Sequence, residues 1–346
     1  RAAIWNVERD LWRPRTIAVQ SDWGEAVALT SARPHTSYRK IVDVVATTAR
    51  GFHAAVKAAV EDRDFVGDNN PTPILIRFEE HPNIAPLSDD FAAELTSLGF
   101  VREPAPVPSI PSTREDSQDY VRAWSYWLGD APDRSAPYYG QTTDVTCGAV
   151  TALMNFEASG VSQFGDDGDT NQAREIEFWR SATNMPACEP VGLAVSTAKE
   201  KIGAGLPKVV LSAPDLVLLE WFENDPGEHR LRTQLQRDAL RTAEKLNIEV
   251  DRRWISVEEI RDQIDAGNDV YLLITLEPLI GDPTPHWILA HDVIGDSIIV
   301  SDPWVESDHG ESWADTSNLP IPMAGIDLIT RWGDPEYRGV IIIPHA

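Results

Sequence analysis

The stretch "TPHWILAHDVIGDSIIVSDPW", Thr284 to Trp304, decides how the second half of this chain is read. Two runs rich in Ile, Val and Trp flank Gly295-Asp296, a turn dipeptide, and this pattern predicts an antiparallel hairpin of "HWILAHDVI" against "SIIVSDP". His286 stands at the start of the first strand and Asp302 at the end of the second. Antiparallel pairing brings those two ends together, so an imidazole and a carboxylate can approach each other there, with the register left to the fold.

Outward from the hairpin, "PKVVLSA", "DVYLLITL" and "YRGVIIIP" read as further strands. The segments before them carry apolar residues at helical spacing: "CGAVTALMNFEAS", "QAREIEFWRSAT", "EPVGLAVSTAKEKIG" and "GEHRLRTQLQRDALRTAEKLN". A further helix, "SVEEIRDQIDAG", lies between the strands, and the Trp- and Tyr-rich "DYVRAWSYWLGD", Asp119 to Asp130, is also expected to be helical. Helices first and an antiparallel sheet afterwards is an α+β pattern. Four prolines in "REPAPVPSIPSTREDS" exclude helix and mark a spacer. The expected units are therefore 1–103, a linker over 104–117, and 118–346. In the first unit the order helix, strand, helix, strand is expected, with a helix across "TSYRKIVDVVATTARGFHAAVKAAVEDRDF", Thr36 to Phe65, and a strand in "TPILIRFEE".

Composition excludes several function classes. With 55 acidic and 30 basic side chains the net charge is -25, which argues against nucleic acid as a partner and for a solvated surface that would favour a basic ligand over an acidic one. No apolar run approaches the roughly 18 residues of a membrane span, and "RAAIWNVERDLWRPR" is too charged for a signal-peptide core, so a cytoplasmic protein with no membrane partner is expected. The chain starts at Arg1 and not Met, which leaves open residues upstream. Two cysteines, Cys147 and Cys188, build neither a disulfide framework nor a thiolate zinc site. The alternation of Asp167, Asp169 and Asn171 suggests a calcium loop, but Gln172 stands where the turn needs Gly and no Glu falls at the twelfth position. It reads as a loop capping the next helix; neither metal nor organic cofactor is expected.

Cys147 begins a helix in "PYYGQTTDVTCGAV", Pro137 to Val150, and a helix N-terminus favours an anion. Gly148 beside it would leave room for a substrate. On the helix alone, a small buried apolar residue is the plainer reading. A nucleophilic thiol needs a base, an orienting partner for the base, and donors for the oxyanion. His286 and Asp302 can supply the first two, and the amide of Gln141, six residues before Cys147, can supply the third.

Together "GQTTDVTCGAVTALM", "PHWILAHDVI" and "VSDPW" resemble the papain-like cysteine peptidases of the bacteriocin-processing, double-glycine-leader type and their stand-alone relatives. The resemblance implies a papain-like α+β domain with Cys147 as nucleophile, His286 as general base and acid, Asp302 as its orienter and Gln141 as oxyanion donor. Family members usually carry Pro after the Cys-Gly pair, and this chain has Ala149. "DDFAAELTSLGFVRE" after a strand is similar to the second half of a GCN5-type acetyltransferase. In "ARGFHAAVKAA", however, His53 stands where that resemblance expects glycine, which implies a small α/β domain that has lost acetyl-CoA binding. "EIEFWRSATNMPACEPVGLAV" resembles a helix pair of an uncharacterised bacterial branch of these relatives, in which an acetyltransferase-like domain can precede the peptidase domain.

The resulting expectation is a cysteine hydrolase acting on a peptide, isopeptide or related amide, with the acidic surface favouring a basic peptide. Two alternatives stand beside it: a binding or scaffold protein inactive in both units, and an acetyltransferase working through the first. His291, an odd number of residues from His286, is expected to face the other side of the strand in a structural role. Cys188 has no implied strand partner, His309 reads as a loop residue, and Trp287 and Trp304 read as core. The oligomeric state is not legible.

Overall fold

The computed structural model of the protein describes residues 1–67, 69–110, 121–182, 187–200 and 205–344. β1 (Arg15–Ser21), β2 (Gly24–Ser31) and β3 (Tyr38–Ala46) form an antiparallel meander. After the helix Ala49–Glu61, β4 (Leu75–Glu80) returns parallel to β3. β5 (Val101–Arg102) and β6 (Arg122–Trp127) complete a mixed sheet in the order β1-β2-β3-β4-β6-β5.

Two helix expectations fail here for one reason. Tyr38–Ala46 is a strand because Ile41, Val42, Val44 and Val45 are β-branched and its first seven residues are buried, which suits a pleated surface covered on both sides. The helix expected over Thr36–Phe65 is confined to Ala49–Glu61. Likewise Arg122–Trp127 alternates buried Ala123 and Ser125 with more exposed neighbours, the period of a strand, and pairs along the whole of β4. Residues 119–120 of that expected helix, and 111–117 of the expected linker, lie outside the described residues. The first sheet thus draws chain from both sides of the Pro-rich stretch.

The second sheet takes β7 (Lys208–Leu211), β8 (Val250–Asp251), β9 (Asp269–Thr275), β10 (Pro285–Ile294), β11 (Ser297–Ser301), β12 (Leu319–Pro322) and β13 (Gly339–Ile343) in the order β12-β11-β10-β9-β13-β7-β8. All pairs are antiparallel except β7 with β8 at the edge. Both faces are covered. Trp287 and Leu289 enter a core with the helices Cys147–Ala158 and Pro190–Lys199, while Ile288 and Ala290 enter one with the helix Val257–Asp265 and with Tyr38 and Leu75 of the first sheet. Double coverage explains why "DVYLLIT" runs without alternation from Val270 to Ile274. The architecture is α+β, and no described helix is long and apolar enough to cross a membrane.

A polar seam joins the two sheets. From the first come Arg33, Tyr38, Lys40 and Arg77, all buried; from the second comes the segment after β11, residues 302–317. Arg77 donates to the carbonyls of Ala314 and Ser317, both at 2.7 Å. Lys40 places its three ammonium donors on Glu79 (2.9 Å), Asp315 (2.6 Å) and the Gly310 carbonyl (3.0 Å). Burial lowers the Lys40 pKa, but Asp315 and Glu79 outweigh that and raise it.

Candidate active site

Cys147 is the first residue of a helix whose residues 147–156 are all buried. Its own N–H and the next two find no intrahelical acceptor, so they point out of the helix start as donors. The helix is locked to the sheet by Thr151, whose hydroxyl donates to the Trp287 carbonyl at 3.0 Å, and by Asn155, which bridges Asp269 (2.6 Å) and the Tyr271 hydroxyl (2.7 Å).

The hairpin supplies the other groups. Gly295 adopts φ 57°, as a two-residue turn needs, and Ile294 pairs with Ser297. A bulge between Ala290 and Asp292 then shifts the register by one, so that Leu289 faces Ser301. Continuing that register sets Asp302 across from Ile288, which shares a strand face with His286. Without the bulge, Asp302 would lie opposite Leu289 and on the wrong face.

His286 Nε2 meets Asp302 Oδ1 at 2.7 Å, and the same oxygen accepts the Trp304 N–H at 2.8 Å. Cys147 is the second group acting on the imidazole, as both a charge and a hydrogen-bond partner. Burial would lower the His286 pKa; the charges of Asp302 and Cys147 and their hydrogen bonds outweigh it and hold it raised to about 9. For Asp302, burial pushes upward, while His286 and Arg33 together pull it below the usual carboxylate range. The backbone N–H of Gln141 donates to the Pro303 carbonyl at 2.9 Å, which ties the loop before Cys147 to the Asp302 segment. Its side-chain Nε2 donates to the Thr143 carbonyl at 2.8 Å, and among the described residues its second amide hydrogen and its buried Oε1 have no partner.

Several surrounding residues were not expected from the sequence. Glu175, fully buried on the helix Gly168–Ala182, accepts from Tyr139 (2.9 Å), the Thr142 N–H (3.0 Å) and the Thr142 and Thr146 hydroxyls, and so shapes the loop leading to Cys147. Trp304 supplies a backbone donor, and Arg33 donates to Asp302 Oδ2 at 2.6 Å. The space expected to be open at Gly148 is filled. A side chain there would meet Cys188 Cβ and Sγ at 3.0 Å and Trp287 Cδ1 at 3.2 Å, and Trp287 is itself pinned by donating to the Cys188 carbonyl at 3.0 Å. Gly148→Ala is therefore expected to cost about 1–3 kcal/mol by overpacking, measured as a lower urea midpoint.

His291 occupies the bulge, buried, with Ser301 Oγ 3.4 Å from its Nε2, and burial lowers its pKa to about 4, so it is neutral. His309 is not a plain loop residue: its ring stacks on Trp12 and Nδ1 lies 2.9 Å from a Glu8 oxygen. Asp167 accepts the Thr170 N–H at 2.9 Å as a helix cap, and among the described residues no group of three or more His, Cys, Asp or Glu is placed to hold a metal ion.

A cysteine at a helix start, interacting with an imidazole that is bonded to a carboxylate on an α+β scaffold, defines a cysteine-peptidase-like domain. Residues 136–344 match the sequence model described as the Peptidase_C39 like family, and the chain belongs to that family. No curated protein matches the chain.

Proposed function

We propose that the protein is a thiol-dependent hydrolase of peptide, isopeptide or related amide bonds. What carries this reading is that His286 is bonded to Asp302 and interacts with Cys147 at a helix start, inside a peptidase-like domain. Cys147 Sγ attacks the carbonyl carbon. His286 gives a proton to the leaving amine as the C–N bond breaks, and then takes one from the water that cleaves the thioester. Asp302 holds the imidazole in place. The Cys147 N–H and the uncommitted amide hydrogen of Gln141 stabilise the oxyanion. The net charge of -25 favours a basic peptide as substrate.

The first sheet supports a non-catalytic role for its half of the chain. At the start of the helix Ala49–Glu61, the Gly51 N–H is already taken by Thr48 Oγ1 at 3.1 Å, and Thr48 and Trp23 pack against Gly51, each 3.2 Å from where a Cβ would stand. His53 is paired with Glu94 at 2.7 Å.

Iodoacetamide labelling followed by peptide mass spectrometry tests the reading. Cys147 is expected to alkylate at least tenfold faster at pH 6 than a free-cysteine peptide, an advantage that fades as the pH rises through about 9 and the His286 imidazolium is lost. Cys188, 0% exposed, is expected to react only on unfolding. A Cys147 profile matching an ordinary thiol of pKa about 8.5 would favour a binding protein instead.

A further inference from the structure

We infer that Arg33, from the first sheet's half of the chain, is a positioning residue for the hydrolytic site, holding Asp302 where it can orient His286. The inference rests on the hydrolase reading above. Arg33 lies between β2 and β3 with its side chain wholly buried. Its guanidinium spans two carboxylates: Nη1 on Asp302 Oδ2 at 2.6 Å, Nε and Nη2 on the two oxygens of Glu311 at 2.8 and 2.5 Å. The fork is planar, so seating its Nε–Nη2 edge on Glu311 fixes the direction of the third nitrogen toward Asp302.

The division of labour on Asp302 is complete. Oδ1 takes His286 and the Trp304 N–H, and Oδ2 takes Arg33. Glu311 is anchored independently by the Trp12 indole N–H at 2.6 Å and the Glu306 N–H at 3.0 Å. Trp12 belongs to the same half of the chain as Arg33, so two contacts from that half converge on one carboxylate next to the site. Without Arg33, Oδ2 would be a buried charge lacking a partner, and the carboxylate would rotate or take up a proton. Either response weakens its hold on the imidazole. The polar seam therefore makes reactivity at Cys147 depend on how the first sheet is docked.

The test is the pH profile of Cys147 labelling by iodoacetamide in the full chain, with folding checked by circular dichroism. Arg33→Met is expected to slow labelling at pH 6 at least tenfold and move the profile toward an ordinary thiol, with Arg33→Lys intermediate because the charge returns without the fork. Tyr38→Phe, at the same seam but bonded to Asp315 at 3.1 Å, is the control and is expected to leave the profile unchanged. In an Asp302→Asn background, Arg33→Met is expected to add no further loss, since its effect runs through Asp302. An unchanged profile in whichever of Arg33→Met and Arg33→Lys folds overturns the inference while leaving the hydrolase reading intact, and so does a full additional loss in the Asp302→Asn background. A slow, ordinary profile in the parent protein overturns the hydrolase reading, and this inference with it.

Discussion

Replacing His286 with Ala is expected to remove at least about 10²–10⁴ of the rate of amide hydrolysis and to abolish the fast labelling of Cys147 at pH 6. The imidazole serves two steps. It is the counter-ion that lets a buried thiol be used as thiolate, and it is the acid that releases the amine. Without the imidazolium the thiolate loses its counter-ion, since Arg33 stays committed to Asp302 and Glu311, and this favours the unreactive thiol. Asp302→Asn is expected to cost less, because the imidazole remains and loses only its orientation and part of its positive bias. The measurement is labelling rate against pH for parent and variants, followed by turnover of a peptide library. Equal labelling of parent and His286→Ala would sink the mechanism. The working range follows from His286: its raised pKa of about 9 keeps the imidazolium from neutral pH up to that value, so the reactive pair is expected to persist to about pH 9 and then decline.

Lys40→Met is expected to lower stability by about 3–5 kcal/mol, read from urea unfolding. The ammonium is buried, and all three of its protons are committed across the seam. Removing it leaves Glu79 and Asp315 desolvated and without the cation that hydrogen-bonds both, with Arg9 acting on them through charge alone; the large cost comes from those under-compensated charges more than from the lost attraction. Lys57→Met supplies the contrast. Lys57 pairs with Glu61 at 3.1 Å on an exposed helix face, with side chains 53% and 64% accessible, and its loss is expected to fall within about 0.5 kcal/mol. The sign with pH also separates the two. Because the Lys40 pKa is raised in the fold, its contribution is complete below the ordinary lysine value of about 10.4 and is lost only as pH rises beyond it, so the gap between parent and Lys40→Met is expected to stay flat from pH 6 to 9. A variant within 1 kcal/mol of the parent would mean that water reaches the seam and screens the two carboxylates.

The two predictions probe different layers of one design. The first concerns groups that meet through a hairpin and a helix start; the second concerns the seam that presents Arg33 to Asp302. Glu175 and Trp304 belong with Arg33, since each acts by holding a neighbour in place. Of the three, only Trp304 stands next to a motif in the sequence, and there its indole draws the eye where its backbone N–H is what acts. Glu175 sits in an ordinary polar helix, and Arg33 is 269 residues from its partner.

What the sequence determined by itself was local. A two-residue turn between β-branched runs specifies a hairpin, and helical spacing after "TTDVT" specifies a helix beginning at Cys147, because turn chemistry and apolar period act over a few residues. Local pattern is not enough elsewhere: Tyr38–Ala46 and Arg122–Trp127 are strands because each pairs with β4 and is covered, which propensity alone does not supply. Tertiary structure alone decided the rest. The bulge at His291 chose the face of the sheet on which Asp302 stands, since one inserted residue inverts every later side chain. The seam chose what surrounds it, since a buried carboxylate must find its cation wherever the fold brings one, however distant in the chain.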